Sequence, residues 1–147
     1  MPRPEPTRRS EYPFAITLAS RWADNDIYGH VNNAAYYGLI DTAVNRFMIA
    51  RAGMDIHAGP LIALVVETGC RYHDALMFPQ DIEVALKVGR VGNSSVTWSV
   101  GLFRAPTTEH SAAAADAHFT HVLVDRENRR PAPWPDAMRD ALASVMG

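Results

Sequence analysis

The hydrophobic and polar positions of this 147-residue chain change period several times, and each change marks an element. Residues 12–22, YPFAITLASRW, alternate, with Phe14, Ile16 and Leu18 on one parity, and predict a strand. After a polar stretch the period lengthens. Tyr36, Ile40, Ala43, Phe47 and Ala50 recur at spacings of four and three, with Tyr37, Val44 and Met48 beside them. Asp41, Thr42, Asn45 and Arg46 fall off that stripe, so a long amphipathic helix is expected, starting at about Asn32 or Asn33. Gly53 is its natural stop.

Four more strands follow. Residues 60–72, PLIALVVETGCRY, are apolar on both parities at first, the pattern of a strand covered on both faces. Residues 74–80 read as a connection. Residues 81–91 alternate, Ile82, Val84, Leu86 and Val88 against Glu83, Ala85 and Lys87. Gly92-Asn93 is a two-residue hairpin signal, and residues 95–103 alternate again. Residues 112–125 carry a mixed signal: the alanines favour helix and HFTHVLVD favours strand. A strand from about Ala115 completes an antiparallel meander. The prolines at 131, 133 and 135 break the chain, and residues 136–146 predict a short terminal helix.

Residues 1–12, rich in Pro and Arg and without periodicity, are expected to form a mobile arm, and residues 13–147 a single domain. Strand, long helix, then four strands is an α+β order, a five-stranded antiparallel sheet with the helix on one face. Several strands look apolar on both faces, more than one helix covers, so a second subunit is expected.

Composition narrows the function classes. A net charge of −2 argues against a general nucleic-acid binder, which needs a basic face. Cys70 is the sole cysteine, which rules out an internal disulfide and fits a reducing compartment. The first residues hold no apolar run, and no window approaches the ~20 apolar residues of a membrane span. A cytoplasmic protein with no membrane partner is expected.

The chemistry concentrates in residues 24–33, DNDIYGHVNN. Asp24 reads as a brace for this loop. Asp26 is either a helix-entry turn residue or a catalytic carboxylate. Gly29 allows a tight turn and close approach of a ligand. A helix starting at Asn32 or Asn33 aims unpaired N–H groups and its positive dipole end at the loop, a place to stabilise an oxyanion. Asn32 and Asn33 are also natural capping residues. His30 either orients the loop or hydrogen-bonds the substrate carbonyl or Asp26.

The loop and helix resemble the hotdog-fold acyl-CoA thioesterases of the 4-hydroxybenzoyl-CoA thioesterase type, in which an antiparallel sheet wraps one long helix. The family pattern, a strand ending in an aspartate-bearing loop, then Gly, then a helix N-terminus, falls on Asp24-Asn25-Asp26-Ile27-Tyr28-Gly29. The resemblance implies that Asp26 is catalytic, as nucleophile or general base, and that an N–H near Asn33 polarises the thioester carbonyl. GHVNNAAYY also looks like plant acyl-ACP thioesterases, where the histidine of HVNN is catalytic, which makes His30 a candidate. The asparagine those enzymes carry two residues after the aspartate is Tyr28 here. The family works without a cofactor, as a dimer or tetramer with shared sites, so an acyl-CoA substrate and a homodimer or homotetramer are implied.

Tyr28, Gly29 and Asn32 are the expected substrate contacts in the loop. Glu67, in an otherwise apolar strand, either lines the pocket, from this or a neighbouring subunit, or pairs with Arg71. Arg90, Ser94 and Ser95 either form a polar turn or, by the resemblance, lie near the CoA nucleotide, with Arg90 on a phosphate. Arg129 and Arg130 are a second basic option. Tyr36, Phe47 and Met48 either shape an acyl pocket or pack the core. No metal is expected: on a strand, residues three apart face opposite ways, which separates Cys70 from Glu67 and His73. GRVG lacks the spacing and the Lys of a P-loop. Two other readings remain: an enoyl-thioester hydratase, whose Asp–His spacing is one residue longer, and a non-catalytic acyl-thioester-binding module.

Overall fold

In the computed structural model, which describes residues 2–147, strand β1 (Phe14–Ala19) leads through the polar loop to helix α1 (Ala35–Ala50). Four strands follow, β2 (Leu61–Tyr72), β3 (Asp81–Val91), β4 (Ser95–Arg104) and β5 (Ala115–Asp125), and a short helix α2 (Asp136–Ala143). One antiparallel five-stranded sheet has the order β1-β3-β4-β5-β2, so β1 and β2 are its edges. A sheet wrapped around one long helix is the hotdog fold. No helix among the described residues is long and apolar enough to cross a membrane.

The alternation of β3 and β4 decides which face meets α1. Val84, Leu86 and Val88 pair in register with Leu102, Val100 and Trp98, and all six are buried, as is Ile82. The helix places Tyr36, Ile40, Ala43, Val44, Phe47 and Met48 against them, while Ala50 is exposed. Phe47 meets the Trp98 ring edge-on at 5.3 Å. Each large apolar side chain fully removed from water contributes roughly 1.5–3 kcal/mol, so this helix-to-sheet layer dominates stability.

Three expectations change. The helix starts at Ala35, later than Asn32 or Asn33, because residues 32–35 first close a separate turn: Ala35 N–H donates to Asn32 O at 2.8 Å and Ala34 N–H to Asn32 Oδ1 at 2.9 Å. The arm is held on the outer sheet face rather than loose. Tyr12 is buried there beside Phe103, Ala85 and Ala113, and Arg9 pairs with Glu83. A Cβ at Gly101 would lie 2.7 Å from the Phe103 ring and 2.9 Å from the Tyr12 ring, so a residue without a side chain lets the arm settle. Within one chain β2 is not covered on both faces: it is an edge strand, bulged between Val65 and Glu67, and Val65 and Val66 are exposed.

Candidate active site

The loop between β1 and α1 is built by backbone hydrogen bonds that leave its side chains available. Asp26 N–H donates to His30 O at 2.9 Å and Gly29 N–H to Asp26 O at 3.1 Å. This tight turn needs the left-handed backbone of Gly29, φ 81°. Two further bonds dock the loop: Val31 N–H to Leu76 O at 2.7 Å and Asn32 N–H to Asp24 O at 2.7 Å. Asp24 is buried and accepts from the Arg21 N–H at 2.8 Å and from its guanidinium at 2.7 Å. That guanidinium bond holds the Asp24 carboxyl below the usual carboxylate range. Asp24 is therefore the brace.

The loop, the first turn before α1 and the end of β2 enclose an open cleft of about 660 Å³. Asp26, Tyr28, His30 and Asn33 line it from one side, and Tyr72, His73, Asp74 and Ala75 from the other. Asp26 is half-buried; its Oδ1 accepts the Tyr28 N–H at 2.9 Å, and its Oδ2 has no partner among the described residues. Asn33 N–H likewise has no acceptor among the described residues. Tyr72 fixes this corner, its hydroxyl donating to Asn33 O at 2.7 Å. Burial pushes the Tyr72 and Tyr36 phenols up, so both stay protonated donors. Asp74 is held below its ordinary range by the Ala75 N–H and then by Arg104, whose guanidinium lies 3.1 Å away. A carboxylate with a free oxygen and a free backbone N–H on one wall of a cleft can attack a carbonyl carbon, or deprotonate the water that attacks it, while the N–H receives the carbonyl oxygen.

The other named residues lie elsewhere. Asn32 turns its side chain to Ala34 N–H and is not in the cleft wall. Glu67 does not meet Arg71; its partner is His118, across on β5, at 3.2 Å, and both are exposed. Glu67 lies five residues before Tyr72, roughly 16 Å along the strand. Arg90, Ser94 and Ser95 sit at the far end of the β3–β4 hairpin, roughly 30 Å along β4 from Arg104. That turn is three residues, Gly92 to Ser94, rather than two. Arg129 and Arg130 follow β5, outside the cleft. Phe47 and Met48 are fully buried core residues, and Tyr36 both packs the core and lines the cleft. Among the described residues no cluster of three or more His, Cys, Asp or Glu is placed to hold a metal. The polar cleft residues the pattern did not single out are Tyr72 and Asp74. Their signal was modest: a Tyr-His-Asp run at the point where an apolar strand stops.

Similarity to known proteins follows this geometry. The PA5185 protein of Pseudomonas aeruginosa strain PAO1 is 45% identical, with 98% of each chain covered and a TM-score of 0.93. The PA2801 protein of Pseudomonas aeruginosa is 26% identical over 87% of this chain and 96% of its own, TM-score 0.80. Slr0204, a 1,4-dihydroxy-2-naphthoyl-CoA thioesterase from Synechocystis, shares the fold at TM-score 0.77 and 16% identity, over 88% of this chain and 95% of its own. No curated protein matches the chain. The family model described as thioesterase-like superfamily matches residues 20–142, from the end of β1 through nearly all of α2. By that match and the PA5185 likeness, this chain belongs to the thioesterase-like superfamily.

Proposed function

We propose that this protein hydrolyses an acyl-CoA thioester to free acid and CoA, without a cofactor. The observation that carries the reading is a pair of unused groups on two residues of one cleft wall, Asp26 Oδ2 and the Asn33 N–H. The thioester oxygen takes the Asn33 N–H, which strengthens as negative charge develops there. Asp26 then either attacks the acyl carbon, giving an anhydride that water opens, or takes a proton from the attacking water. The C–S bond breaks, the electron pair leaves with sulfur, and the thiolate recovers the proton. His30, exposed at the rim, supports the substrate.

The functional unit we propose is a homodimer or homotetramer with shared sites, working in the cytoplasm. Exposed Val65 and Val66 on the open β2 edge support it, since an unpaired apolar edge invites a second strand. In this reading Arg90, Ser94 and Ser95, remote from the cleft of their own chain, serve the CoA moiety at the neighbouring one, and Glu67 lines the pocket of the neighbouring site.

The test is thiol release from short, long and aromatic acyl-CoAs, comparing wild type with Asp26→Asn. Turnover on one class, reduced at least about a hundredfold in the variant, supports the proposal; that factor is ~2.7 kcal/mol of barrier. Turnover that survives the substitution moves catalysis away from Asp26. No thiol release, with hydration of an enoyl-CoA or saturable binding alone, replaces the hydrolase reading by a hydratase or a binding module.

A further inference from the structure

Tyr72 ends β2 and stands where the sheet meets the Asp26 loop. Its backbone pairs with Ala115 of β5, and its ring lies edge-on to the buried Tyr36 ring at 4.9 Å. Tyr36 is tied in turn to the segment after β2, its hydroxyl accepting the Leu76 N–H at 3.3 Å. The Tyr72 ring is therefore carried by a strand and braced by a helix. Its hydroxyl reaches the cleft corner and donates to Asn33 O at 2.7 Å.

Two kinds of bond hold Asn33. Those within residues 32–35, from Ala35 N–H to Asn32 O and from Ala34 N–H to Asn32 Oδ1, set the shape of the turn. The bond from outside the turn comes from Tyr72, and it is the one bond that Asn33 O makes among the described residues. The N–H and the C=O of one residue are separated by two soft dihedrals, so a fixed carbonyl limits where the N–H points. Stability does not require this bond. The loop is docked without it, by Val31 N–H on Leu76 O and Asn32 N–H on Asp24 O. Asn33 is exposed, so water can satisfy its carbonyl, and exchanging that water for a hydroxyl gains little. What the bond adds is direction, at the residue whose N–H is spare.

We propose that Tyr72 is a positioning residue for thioester hydrolysis: through Asn33 O, its hydroxyl holds the Asn33 N–H in the direction that receives the carbonyl oxygen. The proposal rests on the hydrolase reading above. Tyr72 makes no bond to the substrate and gives up no proton. Its effect falls on the transition state. A neutral thioester oxygen gains little from the N–H and tolerates a misdirected one. The oxygen of the tetrahedral species carries negative charge, and there a misdirected donor costs more. The effect therefore appears in kcat rather than in KM.

On the full chain, with the best acyl-CoA of the panel, Tyr72→Phe removes the donor and keeps the ring. Its kcat is expected to fall about twentyfold with KM within about threefold, the split of an interaction made in the transition state. Its melting temperature is expected to stay within about 4 °C of wild type. A polyfluorinated tyrosine at position 72 keeps both ring and hydroxyl but ionises at lower pH. Its kcat is expected to match wild type at low pH and to fall as the phenol loses its proton, along a limb that wild type lacks. The Asn33 amide gives a direct reading by NMR. When a non-hydrolysable ketone binds, with methylene in place of the thioester sulfur, the amide proton is expected to move downfield in wild type and by no more than about half as much in Tyr72→Phe. A kcat for Tyr72→Phe within about twofold of wild type, a loss accounted for by unfolded protein, a fluorotyrosine profile that follows wild type, or equal amide shifts overturns the proposal alone. Absence of thiol release by wild type overturns the hydrolase reading and this proposal with it.

Discussion

The two ends of the β3–β4 hairpin are both polar and both close to a loop, yet they use their polar groups in opposite ways. At the far end, the carbonyls of the Gly92–Ser95 segment are all taken. Gly92 O accepts Arg139 at 3.1 Å, Asn93 O the Trp134 N–H at 3.1 Å, Ser94 O the Leu123 N–H at 2.7 Å, and Ser95 O the Trp134 indole at 3.0 Å. The chain after β5 folds over this end and closes it. At the near end, Asp26 Oδ2 and the Asn33 N–H are unused among the described residues, although backbone bonds from Asp26, Gly29, Val31 and Asn32 fix the loop around them. Spare hydrogen-bonding capacity on a rigid frame separates a site from a well-made turn, because every group the fold consumes is one a ligand cannot use.

Breaking the closed end is expected to have the largest effect. Trp134 is buried and anchors the returning chain, so Trp134→Ala is expected to cost about 3–5 kcal/mol in chemical denaturation. Activity per folded molecule is expected to stay near wild type.

The closed end holds one exception, which sharpens the comparison. His121, opposite Val96, is buried with Nδ1 unpaired, and burial lowers its pKa from 6.5 to about 4. Unfolded, the ring takes up its proton near its ordinary value. Between the two values the unfolded chain binds the extra proton, so stability is full above pH ~6.5 and falls as pH drops toward 4, by about 3 kcal/mol. His121→Leu is expected to flatten that part of a stability-against-pH curve; an unchanged slope would assign the loss to other groups.

At the open end the prediction reverses. Asp26→Asn keeps the acceptor for the Tyr28 N–H, so its melting temperature is expected to match wild type while turnover falls by ~2.7 kcal/mol of barrier. A drop in melting temperature of comparable weight would make Asp26 a structural residue. The smallest effect tests whether the two ends meet across subunits. Arg90 is exposed and pairs with no carboxylate among the described residues, so Arg90→Ala is expected to leave stability within about 0.5 kcal/mol. If a neighbouring subunit's CoA phosphate meets it, KM for the CoA ester rises about fivefold, roughly 1 kcal/mol of exposed ion pairing. An unchanged KM would break the link between the ends.

Local pattern determined much of this protein. Strict alternation placed a strand at 81–91, as found, because a half-covered strand must alternate, whereas the strand from about Ala115 followed from the need to complete the meander, and β5 does run from Ala115 to Asp125. The four-three recurrence of Tyr36, Ile40, Ala43 and Phe47 located the buried stripe of α1. Asp26, Gly29, His30 and Asn33 were legible as one loop because they are neighbours in the chain, so no folding knowledge was required to bring them together.

Tertiary structure decided what neighbours in space do. Sheet closure carried Tyr72 and Asp74 to the Asp26 loop and set the Tyr72 hydroxyl on Asn33 O, contacts that no spacing along the chain encodes. Strand register gave Glu67 to His118 rather than Arg71. The start of α1 moved to Ala35 because Asn32 spent its side chain and carbonyl on a preceding turn, a competition between two hydrogen-bonded turns that propensity does not resolve. The arm looked loose for want of periodicity, and lies fixed because Tyr12 found a niche that Gly101 leaves open. Period reports how one segment meets a surface; which surface it meets, and which polar groups are then left over, depends on long-range packing that acts on the whole chain at once.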